Sequence, residues 1–434
     1  MDTNRDLALN IRKLAQEHND FFRQSLTLIA SENIMSPLAM EMLLTDFGSR
    51  YAEGLPGHRY YQGNAFVDRL ETMIMEMSNR LFGSQYTDPR PISGTVANIG
   101  IIYGLTSPGD MITVPPLSGG GHISAAKFGA VGLRGLTSFD YPFDVESMNI
   151  DVDGTIKLIK EKKPKVSLFG QSVFLFPTPL RDLQDAFAET GTKVWYDAAH
   201  VLGLIAGKQF QDPLSEGAMV ISASTHKTFP GPQHGIILGK CQEDVWKRVQ
   251  RGVFPGSVSN HHLNSMAALG VTLAEELEFG QKYAEDTVEN ARTLAQTLAE
   301  EGIKMLGENN GYTKSHTIVA DVRDLGGGKR CAEDLEDSGI ILNKNLLPWD
   351  TSRESQNPSG LRIGSQELTR IGFGPSEMKE VGHLIADVIV RKKDHGKVRE
   401  MARELKSGFR EVKYCFGRHE AYSYIKLLDE GAWE

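Results

Sequence analysis

Lys227 is the residue whose surroundings point most directly to chemistry. It lies in SASTHKTFPGPQHGIIL, 222–238, between an apolar run and a loop rich in Gly and Pro. A lysine at the end of a strand is sheltered from water, and desolvation lowers the pKa of an ammonium group. The resulting neutral amine can form a Schiff base with a carbonyl compound. A single lysine is more often a solvated surface residue, so this interpretation depends on its neighbours in the fold.

Asp197 stands in YDAAH, 196–200, directly after the apolar run KVW. Sheets of α/β proteins bind ligands at the carboxyl ends of their strands, which is where this carboxylate falls. A carboxylate in that place can pair with the protonated pyridine nitrogen of pyridoxal phosphate (PLP). The same residue could instead cap a helix. His200 follows about one turn later, as a further contact of the site or as an ordinary helix residue.

Two glycine-containing segments could hold the rest of such a ligand. In SGTVAN, 93–98, a Ser-Gly-Thr sequence precedes an apolar helix, and the N–H groups at a helix N-terminus bind phosphate. An ordinary Ser cap is the alternative. In SGGGH, 118–122, glycines permit a close backbone approach, and the imidazole of His122 can stack on an aromatic ring. The alternative there is a flexible turn.

These residues must be positioned by strands that alternate with helices. The apolar runs predicted to be strands are MITV (111–114), KVSLF (165–169), KVWYD (193–197), AMVIS (218–222) and GIIL (235–238). Helical spacing predicts an amphipathic helix over the first 20 residues, with Leu7, Ile11 and Leu14 on one side, and longer helices over 64–83 and 261–302. Interleaved strands and helices favour crossover units and a largely parallel sheet.

The remaining elements predict a second, smaller α/β domain. Strand-like HTIVADV and GIILN follow the long helix, and the tail from 376 is charged and helical. We therefore expect an N-terminal helical arm over 1–20, a large domain over 21–284 and a small C-terminal domain over 285–434.

Composition excludes several classes of protein. Of 434 residues, 24% are charged and 40% hydrophobic, which is ordinary globular usage. The net charge of −9 argues against binding to nucleic acid or anionic membranes. Cys241, Cys331 and Cys415 form neither a disulfide framework nor a metal-binding pattern. No run of 18 apolar residues and no signal-peptide stretch is present, so we expect a cytoplasmic protein.

Seven motifs together resemble the serine hydroxymethyltransferase family. They are LIASEN (28–33), YAEGLPGHRYYQGN (51–64), SGTVAN, GGGH, YDAAH, STHKT and NKNLLPWD (343–350). They occur in that family's order, and KQFQDPL and NKNLLPWD are most similar to its archaeal branch. The resemblance implies a fold type I PLP enzyme with a mostly parallel seven-stranded sheet and a smaller C-terminal α/β domain. It also implies a homodimer or dimer of dimers in which subunits share the active site.

The resemblance further implies how PLP is held. Lys227 forms the Schiff base, Asp197 pairs with the pyridine nitrogen, and His122 stacks on the ring. The other residues implied to contact the cofactor are Ser93, Gly94, Thr95, Ser172, His200, His226 and Gly256. Gly256 would act from the neighbouring subunit.

The substrate contacts follow from the same resemblance. Arg362 clamps the amino-acid carboxylate through a guanidinium fork that suits a planar anion, and Ser31 helps to hold it. Glu53 moves protons during the one-carbon transfer. The tyrosines implied to come largely from the neighbouring subunit are Tyr51, Tyr60 and Tyr61, and Asn345 is implied to contact the pterin.

The implied activity is the reversible transfer of a one-carbon unit between serine and a reduced pterin, giving glycine. The pterin is tetrahydrofolate or tetrahydromethanopterin. The sequence departs from the commonest family pattern at VFPGSVSN (253–260), at Ile92 and at PGPQHG (230–235). Threonine transaldolases share the GPQ loop, and a PLP-dependent threonine aldolase or transaldolase that uses no pterin is the main alternative. A catalytically inactive, ligand-binding relative is the alternative of another class.

Overall fold

The computed structural model describes residues 3–428. The α-helices are α1 (Asn4–Gln24), α2 (Pro37–Leu43), α3 (Ala65–Phe82), α4 (Gly94–Leu105), α5 (Ala130–Leu133), α6 (Val152–Lys162), α7 (Gln184–Thr190), α8 (Leu202–Ala206), α9 (Glu243–Val253), α10 (Leu263–Glu300), α11 (Gly328–Asp337), α12 (Gln366–Arg370), α13 (Pro375–Ile389) and α14 (His395–Ser407). Among residues 3–428, no helix is both long enough and apolar enough to span a bilayer.

The strands are short and fall into one large sheet, one smaller sheet and three two-stranded ladders. They are β1 (Leu26–Thr27), β2 (Gly54–Leu55), β3 (His58–Arg59), β4 (Tyr86–Asp88), β5 (Met111–Val114), β6 (Thr137–Asp140), β7 (Phe143–Asp144), β8 (Asn149–Ile150), β9 (Val166–Phe169), β10 (Lys193–Asp197), β11 (Val220–Ser224), β12 (Gly235–Gly239), β13 (Lys304–Met305), β14 (Thr317–Asp321), β15 (Ile340–Ile341), β16 (Asn343–Asn345) and β17 (Gly360–Gly364).

The large sheet has seven strands in the order β4-β12-β11-β10-β9-β5-β6. Strands β11, β10, β9, β5 and β6 are parallel, and β12 runs antiparallel to both of its neighbours. This confirms the predicted fold class, a mixed α/β protein with a mostly parallel seven-stranded sheet. Parallel strands end at the same edge of a sheet, so the residues that follow β10 and β11 are brought side by side.

Helices cover both faces of this sheet, because its central strands are apolar on both sides. In β10, Val194 and Tyr196 pack with α3 and α10 in one core, whereas Trp195 packs with α4 and α9 in another. The alternation follows from the two-residue period of a strand. Both faces of β10 are therefore fixed by packing, and the Asp197 that ends it is held in place.

Helix α4 is anchored at its N-terminus and packs tightly along its length. The hydroxyl of Ser93 accepts a hydrogen bond from the N–H of Val96 at 3.2 Å and caps the helix. A Cβ at Gly104 would lie 2.5 Å from the carbonyl oxygen of Arg248 in α9, so the two helices approach at near backbone contact. This contact fixes where the first turn of α4 points.

The C-terminal part of the chain builds a second core. Strands β13, β14, β17 and β16 form an antiparallel sheet in that order, and helices α11, α13 and α14 pack on it. β17 carries Arg362, which pairs in register with Val319 and Asn343. β1 pairs in parallel with β15, so Leu26 also belongs to this second core.

Helix α10 runs without interruption through position 284, the predicted domain boundary. Its residues up to Val288 pack in the core of the large sheet, and those from Ala291 onward pack in the second core. The division at 20 and 284 remains a prediction, and the change in core membership within α10 supports a boundary close to residue 290.

Several elements differ in detail from the sequence-based expectation. Strand β11 begins two residues later than AMVIS suggests, and GIILN is divided into β15 and β16. Strand β6 was not predicted, because its residues, TSFD, are exposed or half-buried at the edge of the sheet and show no apolar run. The first helix is longer than 20 residues and ends at Gln24.

Candidate functional site

Lys227, Asp197 and the start of α4 meet at one edge of the large sheet. Lys227 follows β11 by three residues and Asp197 is the last residue of β10. Together they border a cavity of about 210 Å³. Its walls are Ser93, Gly94, Thr95, Asn98, His122, Gly170, Gln171, Ser172, Asp197, Ala199, His200, Ser224, His226 and Lys227. Every residue predicted to contact the cofactor from the same subunit lies in this set. Gly256, which was predicted to act from the neighbouring subunit, does not line the cavity.

Lys227 is buried, as its position after β11 suggested. Burial lowers the pKa of its ammonium group to about 8; Asp197 opposes this shift and Arg362 adds to it. About a tenth of the side chain is then an uncharged amine at pH 7, far more than for a solvated lysine. The amine carries its nucleophilic lone pair only in that form.

The carboxylate of Asp197 is held by two donors. Its Oδ2 accepts a hydrogen bond from Asn98 Nδ2 at 2.8 Å, and its Oδ1 accepts one from the N–H of Ala199 at 3.0 Å. The sequence analysis did not assign a role to Asn98. The signal that could have identified it is an amide side chain within the apolar run that forms α4. The two donors orient the carboxylate on the wall of the cavity, where it can meet a cationic partner.

The first turn of α4 faces the same cavity. Ser93, Gly94 and Thr95 line it, and the N–H groups of a first helical turn have no partner within the helix. A Cβ at Gly94 would lie 2.3 Å from Ser224 Oγ, so this turn sits directly against the end of β11. The arrangement suits an anion such as phosphate.

His122 has a defined proton arrangement. Its Nδ1 accepts a hydrogen bond from the N–H of Ser124 at 3.2 Å and lies 2.7 Å from the hydroxyl of that residue. Burial lowers the pKa of His122; Asp197 opposes the shift, whereas Lys227 and Arg362 strengthen it. The ring is therefore neutral, with its proton on Nε2, and suited to stack on an aromatic ligand.

Three further histidines are neutral, two of them on the cavity wall and the third, His316, beside His200. Burial lowers the pKa of His226 to about 4, that of His316 to about 3, and that of His200 well below its usual range. His200 stacks on His316 with ring centroids 5.8 Å apart. The buried Nδ1 atoms of His200 and His226 have no hydrogen-bond partner among residues 3–428. His316 was not predicted, since only the fold brings β14 here.

A second cavity, of about 560 Å³, adjoins the first and shares Lys227 with it. It is lined by Ser31, Glu32, Asn33, Met35, His122, Ser172, His200, His226, Lys227, Gly231, Gln233 and Arg362. Ser31 and Arg362, the two residues predicted to hold the substrate carboxylate, thus line the same cavity as the amine of Lys227. The amide of Asn33 ties this wall together, because its Nδ2 donates to the carbonyl of Lys227 at 2.5 Å and to Tyr283 Oη at 2.7 Å.

Arg362 is a half-buried cation without a countercharge among residues 3–428. Its Nη1 donates to the carbonyl of Ser172 at 2.9 Å and its Nε donates to Asn343 Oδ1 at 3.1 Å. No carboxylate among residues 3–428 forms an ion pair with it, and burial lowers its pKa to about 10. A buried charge is normally paired, so an anion is the expected ligand of this guanidinium.

The remaining predicted residues lie outside both cavities. Glu53, Tyr51, Tyr61, Gly256 and Asn345 line neither of them. Tyr51 and Tyr61 are exposed and meet edge to face with centroids 5.6 Å apart. Tyr60 is also exposed, and its ring centroid lies 5.9 Å from that of Phe254. Segments 50–61 and 254–260 thus form one surface of the chain, and the roles predicted there for a neighbouring subunit stay predictions.

Comparison with known proteins gives a consistent result. The family model described as serine hydroxymethyltransferase matches residues 5–385. A serine hydroxymethyltransferase of Picrophilus torridus is 62% identical over 97% of this chain and 98% of its own length. One from Thermoplasma volcanium is 61% identical over 97% and 99%, and one from Methanopyrus kandleri is 50% identical over 97% and 98%.

Proposed function

The chain belongs to the serine hydroxymethyltransferase family, and on that premise we propose that it interconverts serine and glycine with PLP and a reduced pterin. The observation that carries the proposal is the unpaired guanidinium of Arg362, which shares a cavity with the buried amine of Lys227. The carboxylate of an amino-acid substrate can serve as the ion-pair partner that this guanidinium lacks within the described chain. Binding there brings the amino group and Cα toward Lys227.

The residues of the smaller cavity fit PLP. The first turn of α4 would hold the phosphate of PLP, Asp197 would pair with the pyridine nitrogen, and Lys227 would bind the aldehyde. The orphaned Nδ1 atoms of His200 and His226 offer partners for the polar groups of the ring. When bound, PLP supplies a ring that accepts the electron pair released as the Cα–Cβ bond breaks.

The protein side chains have separate tasks in this scheme. Asp197 would keep the pyridine nitrogen protonated, because an adjacent carboxylate favours the charged form. His122 would cover one face of the ring and exclude water from it. Arg362, with Ser31, fixes the substrate carboxylate, so that the bond to be broken has one orientation.

Glu53 is the proposed acid–base group of the one-carbon transfer, and Asn345 a contact of the pterin. A proton must move when the hydroxymethyl group exchanges with the carrier, and a carboxylate can take and return it. The family uses a folate-type carrier. Tetrahydrofolate and tetrahydromethanopterin are the two candidates for this chain, and similarity to archaeal relatives supports testing both.

We further propose that two copies of the chain share each site. Glu53, Tyr51, Tyr61 and Gly256 belong to an exposed surface that lines neither cavity. These residues could act at the cofactor or substrate if this surface were placed over the cavity of a second copy. A homodimer, alone or paired into a dimer of dimers, is the assembly that this requires.

The pterin-independent alternative is less well supported. A threonine aldolase or transaldolase would also use Lys227, Asp197 and Arg362. The full-length relatives at 50–62% identity are named serine hydroxymethyltransferases, which favours the transferase. The intact YAEG segment around Glu53 points in the same direction.

The proposal is tested by serine turnover with tetrahydrofolate and with tetrahydromethanopterin, side by side, in the wild type and in Lys227→Ala. The wild type should form glycine only when one of these carriers is present, and borohydride should fix a pyridoxyl group to Lys227. Lys227→Ala should lose both properties. Lys240→Ala, which alters a lysine after the adjacent strand β12, should retain both. Serine cleavage independent of either carrier would favour the aldolase, and trapping at another lysine would contradict the assignment of Lys227.

A further inference from the structure

Glu53 is in contact with Ser259, a residue of the 254–260 loop to which the proposed mechanism assigns no task. Ser259 Oγ donates a hydrogen bond to Glu53 Oε1 at 2.5 Å, within the range of a hydroxyl bound to a carboxylate. No bond links Glu53 Oε2 to any other residue within 3–428. One oxygen of the carboxylate is therefore anchored, and the other remains available for proton exchange.

The next residue of the loop holds the backbone that carries Glu53. Asn260 Oδ1 accepts a hydrogen bond from the N–H of Ala52 at 2.9 Å, and Asn260 Nδ2 donates to the carbonyl of Arg50 at 3.1 Å. One amide side chain thus uses both its donor and its acceptor on the segment just before Glu53. The loop restrains the main chain as well as the carboxylate.

The opposite side of this segment is held by a buried guanidinium. Arg59 Nη1 donates to the carbonyls of Ala52 and Gly54 at 2.7 and 3.1 Å. Arg59 is itself paired with Glu71 and Asp68. Because the carbonyls on both sides of Glu53 are fixed, its side-chain rotamer is the main remaining freedom, and Ser259 is the residue that restricts it.

We propose that Ser259 and Asn260 are positioning residues for Glu53 in the one-carbon transfer, an inference that rests on the proposed acid–base role of Glu53. They lie in VFPGSVSN, the segment where this sequence departs from the commonest family pattern. A displacement of about 1 Å in a reacting group can slow a step by as much as 10²-fold. A hydroxyl that fixes the carboxylate therefore has a measurable effect on turnover.

The test is a double-mutant cycle between Ser259→Ala and Glu53→Gln. Two reactions are measured, carrier-dependent serine turnover and cleavage of allo-threonine. Glu53→Gln should lower the first by about 10²–10⁴-fold and the second far less, since a free aldehyde can leave without a carrier. Ser259→Ala should lower kcat of the first about fivefold, the equivalent of one net hydrogen bond, without raising KM for serine. In the Glu53→Gln background, Ser259→Ala should have no further effect.

Two conservative variants and one matched control complete the design. Ser259→Thr keeps the hydroxyl and should restore turnover. Asn260→Asp keeps the acceptor for Ala52 but loses the donor to Arg50, and should show a smaller loss of the same kind. Ser257→Ala removes a hydroxyl of the same loop that donates to the carbonyl of Val253 at 3.3 Å, and should change neither reaction.

The outcomes separate this inference from its premise. Equal losses of both reactions in Glu53→Gln would overturn the acid–base role itself. A selective loss in Glu53→Gln, together with a full additional loss when Ser259→Ala is combined with it, would overturn only the positioning role. Oligomeric state is measured for every variant by size-exclusion chromatography, and a Ser259→Ala loss that follows dissociation of the assembly would also contradict positioning.

Discussion

Lys227, which is buried, and Arg362, which is half-buried, lie on the walls of two adjoining cavities, and desolvation has different consequences for them. The pKa of Lys227 falls to about 8, which makes a neutral amine available. The pKa of Arg362 falls only to about 10, so its guanidinium stays charged at neutral pH. Arg362 also contributes to lowering the pKa of Lys227. One residue is thus prepared for nucleophilic chemistry while the other remains a fixed anion receptor.

Arg362→Lys tests this receptor at the scale of a single residue. Lysine preserves the charge but loses the planar fork and the two bonds to Ser172 and Asn343. Serine binding should weaken by about 1.5–3 kcal/mol, the worth of hydrogen bonds to a charged group. The measurement is serine titration of the PLP-loaded enzyme followed by absorbance, with thermal unfolding to show that the variant is folded. An unchanged serine affinity would contradict the assignment.

At the scale of elements, the loop that carries Lys227 is fixed to helix α8. The N–H of Gly203 donates to Thr228 Oγ1 at 3.1 Å, and Thr228 Oγ1 donates to the carbonyl of His200 at 2.7 Å. A Cβ at Gly203 would lie 2.2 Å from the carbonyl oxygen of Thr228. The packing of α8 therefore determines where the backbone next to Lys227 can lie.

Gly203→Ala should displace this loop and weaken PLP binding. The added methyl group meets main-chain atoms that cannot rotate away, and overpacking of this kind costs about 1–3 kcal/mol. Ala206→Gly removes one methyl group from the same helix. It should lower the free energy of unfolding by about 0.5–1 kcal/mol and leave the affinity for PLP unchanged. PLP titration and thermal unfolding of both apoenzymes provide the comparison. Equal PLP affinities in the two variants would show that α8 does not control the loop.

The same elements show what the sequence could and could not predict. Asp197 and Lys227 were predicted because each follows an apolar run, and strand ends converge in a parallel sheet. Arg362 looked like an ordinary surface charge without the family resemblance, yet β17 places it, half-buried, on the wall of the larger cavity. Asn33 and His316 were not assigned roles. Asn33 contacts Lys227, which is 194 positions later in the chain, and His316 contacts Ala30, which is 286 positions earlier. No local sequence pattern encodes contacts over such separations.

At the scale of the whole molecule, α10 joins the two cores and carries a buried charged cluster in its N-terminal half. Arg370 Nη2 lies 3.6 Å from Glu275 Oε2, and Arg370 Nη1 donates to the carbonyl of Tyr414 at 2.7 Å. Glu275 Oε1 accepts from the N–H of Phe416 at 3.1 Å. The cluster therefore connects α10 to α12 and to the segment after α14. Glu276 is buried beside it, and its Oε2 has no hydrogen-bond partner within residues 3–428.

Glu276 makes global stability depend on pH in a definite direction. Burial raises the pKa of its carboxyl from 4.5 to about 8; Arg370 opposes the shift and Glu275 adds to it. The folded protein keeps this proton between those two values, whereas the unfolded chain releases it. Stability therefore falls as pH rises through that window. Glu276→Gln removes this titration while preserving the size of the side chain.

The free energy of unfolding of Glu276→Gln should match the wild type near the lower end of this window. It should exceed the wild-type value increasingly toward the upper end, by an amount on the order of a few kcal/mol. Urea unfolding of the apoenzymes at several pH values measures this, with protein concentration held constant because assembly contributes to apparent stability. Glu278→Gln alters an exposed carboxylate on the same helix and should give a curve parallel to the wild type. If Glu276→Gln also ran parallel to the wild type, the buried carboxyl would not hold its proton in the folded state, and the cluster on α10 would be fully ionised.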